Sequence, residues 1–311
     1  MRRIFPVCAL AALSVAAGCD DNDFEQFQEV QKLRVLAIRA TPPELSAGAD
    51  VVLDALVPSP DGRPVRYAWE LCAFDQGPDA YYACAADPET GETLGVPLGD
   101  TPSVTVPAEL ASLLGDIEAL CDEIGSVDIP DFIELPDCTR GFPLRVRLTV
   151  SVGDGEGQDT EIAVSTLVVL RDGAVPNNNP AIGAVSLDEA VLEAGVPGSA
   201  ALPGDDDEPL AADVAIAESE SEPYTDGSGE AAEERRETLK LTWFTTHGAW
   251  DRTSSWYADG RVPIEELREN ELDLEGGTRP AEAGDEVTLY FVARDGRGGV
   301  DFTTRTVTVA P

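Results

Sequence analysis

The chain carries one strand pattern twice. Val35-Leu-Ala-Ile-Arg-Ala-Thr-Pro-Pro-Glu-Leu-Ser-Ala-Gly48 aligns without a gap to Ile182-Gly-Ala-Val-Ser-Leu-Asp-Glu-Ala-Val-Leu-Glu-Ala-Gly195. Each copy opens on a short apolar run and turns towards an Ala-Gly. Further along, Val65-Arg-Tyr-Ala-Trp69-Glu-Leu is echoed by Leu239-Lys-Leu-Thr-Trp243-Phe-Thr. Alternation of polar and apolar residues around each tryptophan has the period of a half-buried strand. Both copies also finish alike. Leu144 to Val152 runs into Asp154-Gly-Glu-Gly, Glu286 to Ala293 runs into Asp295-Gly-Arg-Gly, and a β-rich last strand follows each. Asp-Gly between such runs is a hairpin signal. A duplicated pattern of this kind means two modules of one architecture.

The order within each half is strand, strand, tryptophan-bearing strand, variable middle, hairpin. That is the layout of an immunoglobulin-like sandwich, in which a tryptophan fills the space between two sheets. The expected fold class is therefore all-β, with two immunoglobulin-like β-sandwich domains, residues 32–172 and 181–311, and with Trp69 and Trp243 in their cores. The Asp295-Gly-Arg-Gly-Gly299 turn and the Trp243-Phe-Thr-Thr-His-Gly248 run resemble PKD-like modules of bacterial surface proteins. The resemblance spans roughly the last seventy residues, about one sandwich domain, and implies a β-sandwich used for binding at a cell surface.

The halves differ where each is expanded. In the first, Leu110, Leu113, Leu114, Ile117, Leu120, Cys121 and Ile124 recur at helical spacing with acids between them. Pro107 suits a first turn and Gly125 a C-terminal cap, so residues 107–138 read as an inserted amphipathic helix. In the second, residues 202–237 hold Gly204-Asp-Asp-Asp-Glu208 and Glu218-Ser-Glu-Ser-Glu222. Apart from a strand within Ala211 to Ala217, this stretch is expected to be a long acidic loop. Residues 173–180, ending in Asn-Asn-Asn-Pro, read as a linker between beads on a string.

Arg2 and Arg3 precede an uncharged Ala-, Val- and Leu-rich run that ends in Ala16-Ala-Gly-Cys19. The run is shorter than the ~20 apolar residues needed to span a bilayer, and it has the form of a secretory signal. Its end resembles a lipobox, which implies a signal peptide over 1–18 and lipidation of Cys19. Residues 19–31 then read as an acidic, disordered tether. The expected location is the bacterial cell envelope, lipid-anchored and facing the periplasm or the cell surface.

Four further cysteines remain, Cys72, Cys84, Cys121 and Cys138, and an even number in an exported chain reads as two disulfides. Three pairings are possible; neighbours in sequence, Cys72 with Cys84 and Cys121 with Cys138, are favoured. A four-thiolate zinc site would want CxxC-like pairs, which are absent. With 59 acids against 21 bases the formal charge is −38. That excludes nucleic acid as a partner, because binding there needs Lys and Arg to displace phosphate counterions.

No catalytic constellation stands out. His247 is the sole histidine, which rules out most zinc hydrolase sites. Ser254 and Ser255 lie near it in sequence, but no Gly-x-Ser-x-Gly elbow is present. A carbohydrate-active enzyme built on paired carboxylates is the rival reading, although aromatics make up only 6% of the chain. Calcium is the one cofactor to weigh: Asp205, Asp206, Asp207 and Glu208 are weak ligand candidates, as are Asp154, Glu156 and Asp159. A calcium-stiffened spacer is thus a third reading. Trp250, Trp256 and Tyr257 flank a loop-like stretch and could form an interaction surface for a protein or glycan partner, packing over the sandwich end being the alternative. The expectation is a non-enzymatic envelope lipoprotein that binds or scaffolds, with the membrane as one partner through its anchor.

Overall fold

The computed structural model describes residues 27–310 apart from 47, 60, 111–118, 123–137, 139, 156–157, 202–208 and 227–232. Module 1 is built from β1 (Ala37–Thr41), β2 (Glu44–Leu45), β3 (Val51–Leu56), β4 (Arg66–Cys72), β5 (Val96–Gly99), β6 (Ser103–Val106), β7 (Gly141–Val152) and β8 (Asp159–Leu170). They form a sheet β1-β3-β6 and a sheet β2-β8-β7-β4-β5. Module 2 contains β9 (Val185–Leu187), β10 (Ala190–Leu192), β11 (Gly198–Ala201), β12 (Leu210–Val214), β13 (Pro223–Asp226), β14 (Glu233–Arg236), β15 (Leu239–Thr245), β16 (Ala249–Trp250), β17 (Ser254–Tyr257), β18 (Glu269–Asp273), β19 (Glu286–Arg294) and β20 (Val300–Ala310). Its sheets are β10-β9-β12-β18-β16 and β11-β20-β19-β15-β17, with β13-β14 as a separate hairpin.

The two sheet orders are the same design. The tryptophan strands β4 and β15 sit beside the first strands of the closing hairpins, β7 and β19. In each module a short strand near the start crosses to the other sheet and runs parallel to the last strand, β2 on β8 and β11 on β20. The chain thereby ties its two layers together at one edge. Both modules are immunoglobulin-like β-sandwiches, as the duplicated pattern predicts.

Alternation builds the cores. In β7, Leu144, Val146, Leu148 and Val150 are buried, while Arg145, Arg147 and Thr149 turn to the other face. Trp69 is 2% exposed and donates its indole N–H to Thr101 O at 2.8 Å. Trp243 is fully buried, donates to Ser255 Oγ at 2.9 Å, and has the rings of Trp250 and Phe291 at 5.1 and 5.5 Å. A buried indole ordinarily has such a partner; Trp69 and Trp243 each have one, whereas the buried Trp250 Nε1 has none among the described residues.

Cys72 pairs with Cys84 and Cys121 with Cys138, with Cα separations of 5.2 and 5.6 Å. Residues 109–110 and 119–122 are helical, and Cys121 is buried in the module 1 core with Leu110 and Leu120 against it. The rest of the expected 107–138 helix lies largely outside the described residues.

Three expectations are corrected. The end of the supposed tether is folded: Gln28, Glu29 and Val30 are at most 4% exposed and lie on module 2. Glu29 bridges Thr245 in parallel, Val30 N donates to Thr245 O at 2.8 Å, and Thr245 N donates to Gln28 O at 2.9 Å. Judged by composition the stretch has no apolar face of its own; the open end of β15 supplies its hydrogen-bond partners.

The linker is likewise no flexible string. Asn177 is 2% exposed; its N–H donates to Glu44 Oε2 and its Nδ2 to Asp295 Oδ2, each at 2.7 Å. Asn179 Nδ2 donates to Ala40 O and its Oδ1 accepts from Val300 N. Around this polar centre, Leu36, Ala37 and Leu56 of module 1 and Val30 cover Phe244, Tyr290, Val292, Val300 and Phe302 on the outer face of module 2. Arg39 reaches Asp301 at 2.7 Å and lies 4.5 Å over the Phe302 ring. The modules form one body.

The acidic stretch 202–237 is also ordered over most of its described length. β12 pairs with β9 and β18, and β13 pairs with β14. Glu237 is buried beneath that hairpin, where it accepts from Arg297 at 2.8 Å. A buried acid paired with an arginine is a structural group, which a charge count does not distinguish from a solvated one.

Asn177→Ala should leave the buried Asp295 carboxylate short of a donor. Urea unfolding of the variant should show a loss of about 1–3 kcal/mol; an unchanged midpoint would mean that the linker does not hold the modules.

Candidate functional site

The sequence points to three aromatic residues as a surface, and the structure separates them. Trp250 is 3% exposed and Tyr257 is 2% exposed, both in the module 2 core. This corrects their reading as interaction residues: Trp250 completes the stack on Trp243, and Tyr257 faces inward on β17 and donates to Glu218 Oε1 at 2.7 Å. Burial, with the Glu218 carboxylate beside it, pushes the Tyr257 phenol up to about 12. Trp256, between two inward positions of β17, points out and is 52% exposed. Alternation along β17 decides Trp256 and Tyr257, and β16 turns Trp250 inward.

Trp256 lies opposite Lys240, and Lys240 lies opposite Arg294, in one row across β17, β15 and β19. Directly opposed like charges destabilise a sheet, yet neither cation has a carboxylate within ion-pair distance among the described residues. Arg294 Nη2 donates to Leu36 O at 2.9 Å, and burial holds its guanidinium below the usual value.

The same face continues into a cavity of about 770 Å³. Thr238 and Ala258, one two-residue step from Lys240 and Trp256, form its near wall; Pro223, Tyr224, Glu233, Glu234, Arg235 and Arg236 of the β13-β14 hairpin form the rest together with Asp259 and Arg261. Arg235 pairs with Glu233 at 2.9 Å and Arg236 stands 3.8 Å from Asp259. Arg297 sits 4.6 Å over the Tyr224 ring and pins it.

A second cavity, about 640 Å³, lies on the other sheet and gathers Glu189, Asp213, Asp251, Glu265, Glu266 and Glu269. Asp213 is held by Arg268 at 2.8 Å and Glu266 by Arg252 at 3.1 Å, so two of these acids are structural pairs.

The remaining sequence candidates disperse. Asp205, Asp206, Asp207, Glu208 and Glu156 lie outside the described residues. Asp154 is paired with Arg66 at 2.6 Å and Asp159 with Arg63 at 2.9 Å, so these two carboxylates serve arginines. Glu70, Cys72 and Cys84 approach one another closely enough to hold a metal, but the two sulfurs are joined as a disulfide and offer no thiolate.

His247 is 8% exposed, with Thr246 Oγ1 at 3.2 Å from Nδ1 and Asp285 Oδ2 at 3.8 Å from Nε2. Ser255 is engaged elsewhere, accepting from Trp243 and donating to Leu267 O. Next to the histidine, Gly248 has φ +72°, and a Cβ there would meet the Asp273 carbonyl oxygen at 2.5 Å. The turn that carries His247 thus demands glycine on steric grounds. Asp295 and Glu237 both have carboxyls raised above the usual range, by burial first. Their partners, Asn177, Arg297 and backbone N–H groups, make them interface and hairpin supports.

No family model matches the chain, and no curated protein matches it. Among solved structures the chain is similar to a 1.5-MDa bacterial ice-binding adhesin described for host cell surface retention, at 14% identity over 90% of this chain and 66% of that one, TM-score 0.20. It is also similar to the two Ig domains of DIP-gamma, at 10% identity over 90% and 98% of the two chains, TM-score 0.19. A third is the N-terminal three-domain part of the highly immunogenic outer capsid protein of bacteriophage RB49, at 10% identity over 90% and 70%, TM-score 0.20. At so low a likeness, the sandwich assignment stands on sheet order and the two tryptophan cores.

Burial lowers the His247 pKa from its ordinary 6.5, with Arg279 adding to the effect and Asp285 opposing it. The unfolded chain therefore takes up this proton first as pH falls. The histidine's contribution to stability is complete above pH 6.5 and is lost as pH falls towards the folded value. NMR titration should place the imidazole below 6.5; a midpoint at or above that value would show the site to be solvated.

Proposed function

We propose that the chain is a lipid-anchored protein of the bacterial cell envelope that binds or scaffolds without catalysing a reaction. The observation that carries this reading is the route of the chain behind Cys19. Residues 27–31 are bolted to module 2, and module 1 is held to module 2 again through Asn177 and Asn179. An anchor at Cys19 would therefore hold one stiff two-module body, not two swinging beads. From Cys19 to Phe27 the chain can reach at most about 28 Å when fully extended, so that body would stand close to the lipid surface.

The chemistry of the side chains supports the binding part of the reading. The buried titratable groups serve packing: His247 in a turn, Asp295 at the module junction, Glu237 under a hairpin. What faces outward at the end of module 2 is an aromatic ring beside Lys240 and Arg261, cations without an ion-pair partner among the described residues, which suits recognition. Sandwich modules host many functions, so the fold by itself sets no partner.

Replacing Cys19 with Ser should abolish incorporation of labelled fatty acid in cells and release the protein from the membrane fraction. Labelling that persists in the variant would sink the anchor.

A further inference from the structure

We propose that the end of module 2 around Trp256 binds an acidic saccharide, a chain of sugar rings bearing carboxylates. This builds on the binding class assigned above and gives it a ligand.

The starting point is charge. Acids outnumber bases 59 to 21, so an average cation in this chain has carboxylates to spare, and most arginines are ion-paired in the structure. Lys240 and Arg261 are not: among the described residues neither side chain has an ion-pair or hydrogen-bond partner. They stand on the same surface, Lys240 one step from the cavity wall and Arg261 in it. Arg294 stands directly behind Lys240, and among the described residues its guanidinium has the Leu36 carbonyl as its hydrogen-bond partner. Opposing two cations across adjacent strands costs stability, and an anion seated between them removes that cost.

The second observation is shape. Trp256 is more than half exposed on a strand whose flanking residues are buried, so its ring is presented on a rigid support. Tyr224 offers a second ring on the cavity wall, with its position fixed by Arg297 at 4.6 Å. A cavity of about 770 Å³ lies within the ~300–1,000 Å³ range of ligand sites. Its walls carry Glu233, Glu234 and Asp259 beside Arg235, Arg236 and Arg261; Glu233 is taken up by Arg235, Asp259 stands 3.8 Å from Arg236, and Glu234 accepts from Thr225 at 2.9 Å. Such charged walls do not suit an apolar peptide side chain. Flat rings at the edge and charge-bearing groups within suit a polar, ring-shaped anion whose C–H faces lie on the aromatics. Arg261 and Lys240 would each meet a carboxylate as a charge-assisted hydrogen bond.

The test uses the full chain extracted and purified in detergent micelles, titrated calorimetrically and by tryptophan fluorescence. Three probes are compared: a trimer of galacturonic acid, the neutral trimer of galactose, and a glutamate-rich octapeptide. The uronate trimer is expected to bind saturably with a change in tryptophan emission. Trp256→Ala, and separately Lys240→Ser with Arg261→Ser, should each weaken it about ten-fold, with urea unfolding of the variants at midpoints no lower than that of the parent chain. Absence of saturable uronate binding, equal binding of the neutral trimer, tighter binding of the peptide, or indifference to these substitutions would each overturn the proposal. Fatty-acid labelling on the same preparation reads the anchor separately: saccharide binding without label would remove the anchor and keep the site, and label without binding would do the reverse.

Discussion

Module 2 has a sheet that is apolar on both faces. Inward, Trp243 and Phe291 pack with Trp250; outward, Phe244, Tyr290 and Val292 would meet water if the module stood alone. A sandwich sheet ordinarily has one face to hide. The second face needs a cover, and Leu36, Ala37 and Leu56 of module 1 provide it together with Val30. Much else in the molecule follows from that contact. It sets where module 1 stands, and it gives the segment before module 1 and the segment after it a surface to fold on.

Polar groups fix the geometry that the apolar contact allows. Apolar surfaces slide and rotate at little cost, since burial is non-directional. Asn177 cannot: it joins Glu44 on one side and Asp295 on the other, and losing either bond leaves a buried group unsatisfied. Asn179 repeats the arrangement between Ala40 and Val300. The raised carboxyl of Asp295 records the burial this costs, and its three donors, Asn177 Nδ2, Arg297 N–H and Gly299 N–H, offset it together with the nearby Arg297 charge. A stretch of three asparagines reads as a loop in isolation because each side chain can turn on its own backbone. Placed between two modules, the same side chains bridge outward.

Much of the acidic character is likewise put to structural use. Asp301, Asp213, Glu237, Asp154 and Asp159 each hold an arginine. These pairings join residues far apart in the chain, so neither the charge count nor local spacing could announce them. Trp256 shows the reverse case. Its exposure follows from β-alternation beside buried Ser255 and Tyr257, and a period-two reading places it outside. Trp250 escaped because it sits on β16, a two-residue strand too short to display a period.

Repetition and alternation in the sequence by themselves determined the two sandwiches, their tryptophan cores, the closing hairpins and the order of strands, because these depend on neighbours along the chain and on which face must be dry. The near-neighbour cysteine pairs belong with them, favoured by spacing and brought together in the fold. Only the tertiary structure decided that the modules are joined, that residues 28–30 and Asn177 are buried, and that Lys240 and Arg261 stand without side-chain partners among the described residues beside an exposed ring. Each of those depends on a surface that another part of the chain brings up. Such a surface leaves no period in the sequence, since the groups that meet there are up to hundreds of residues apart and match in shape and charge, not in spacing.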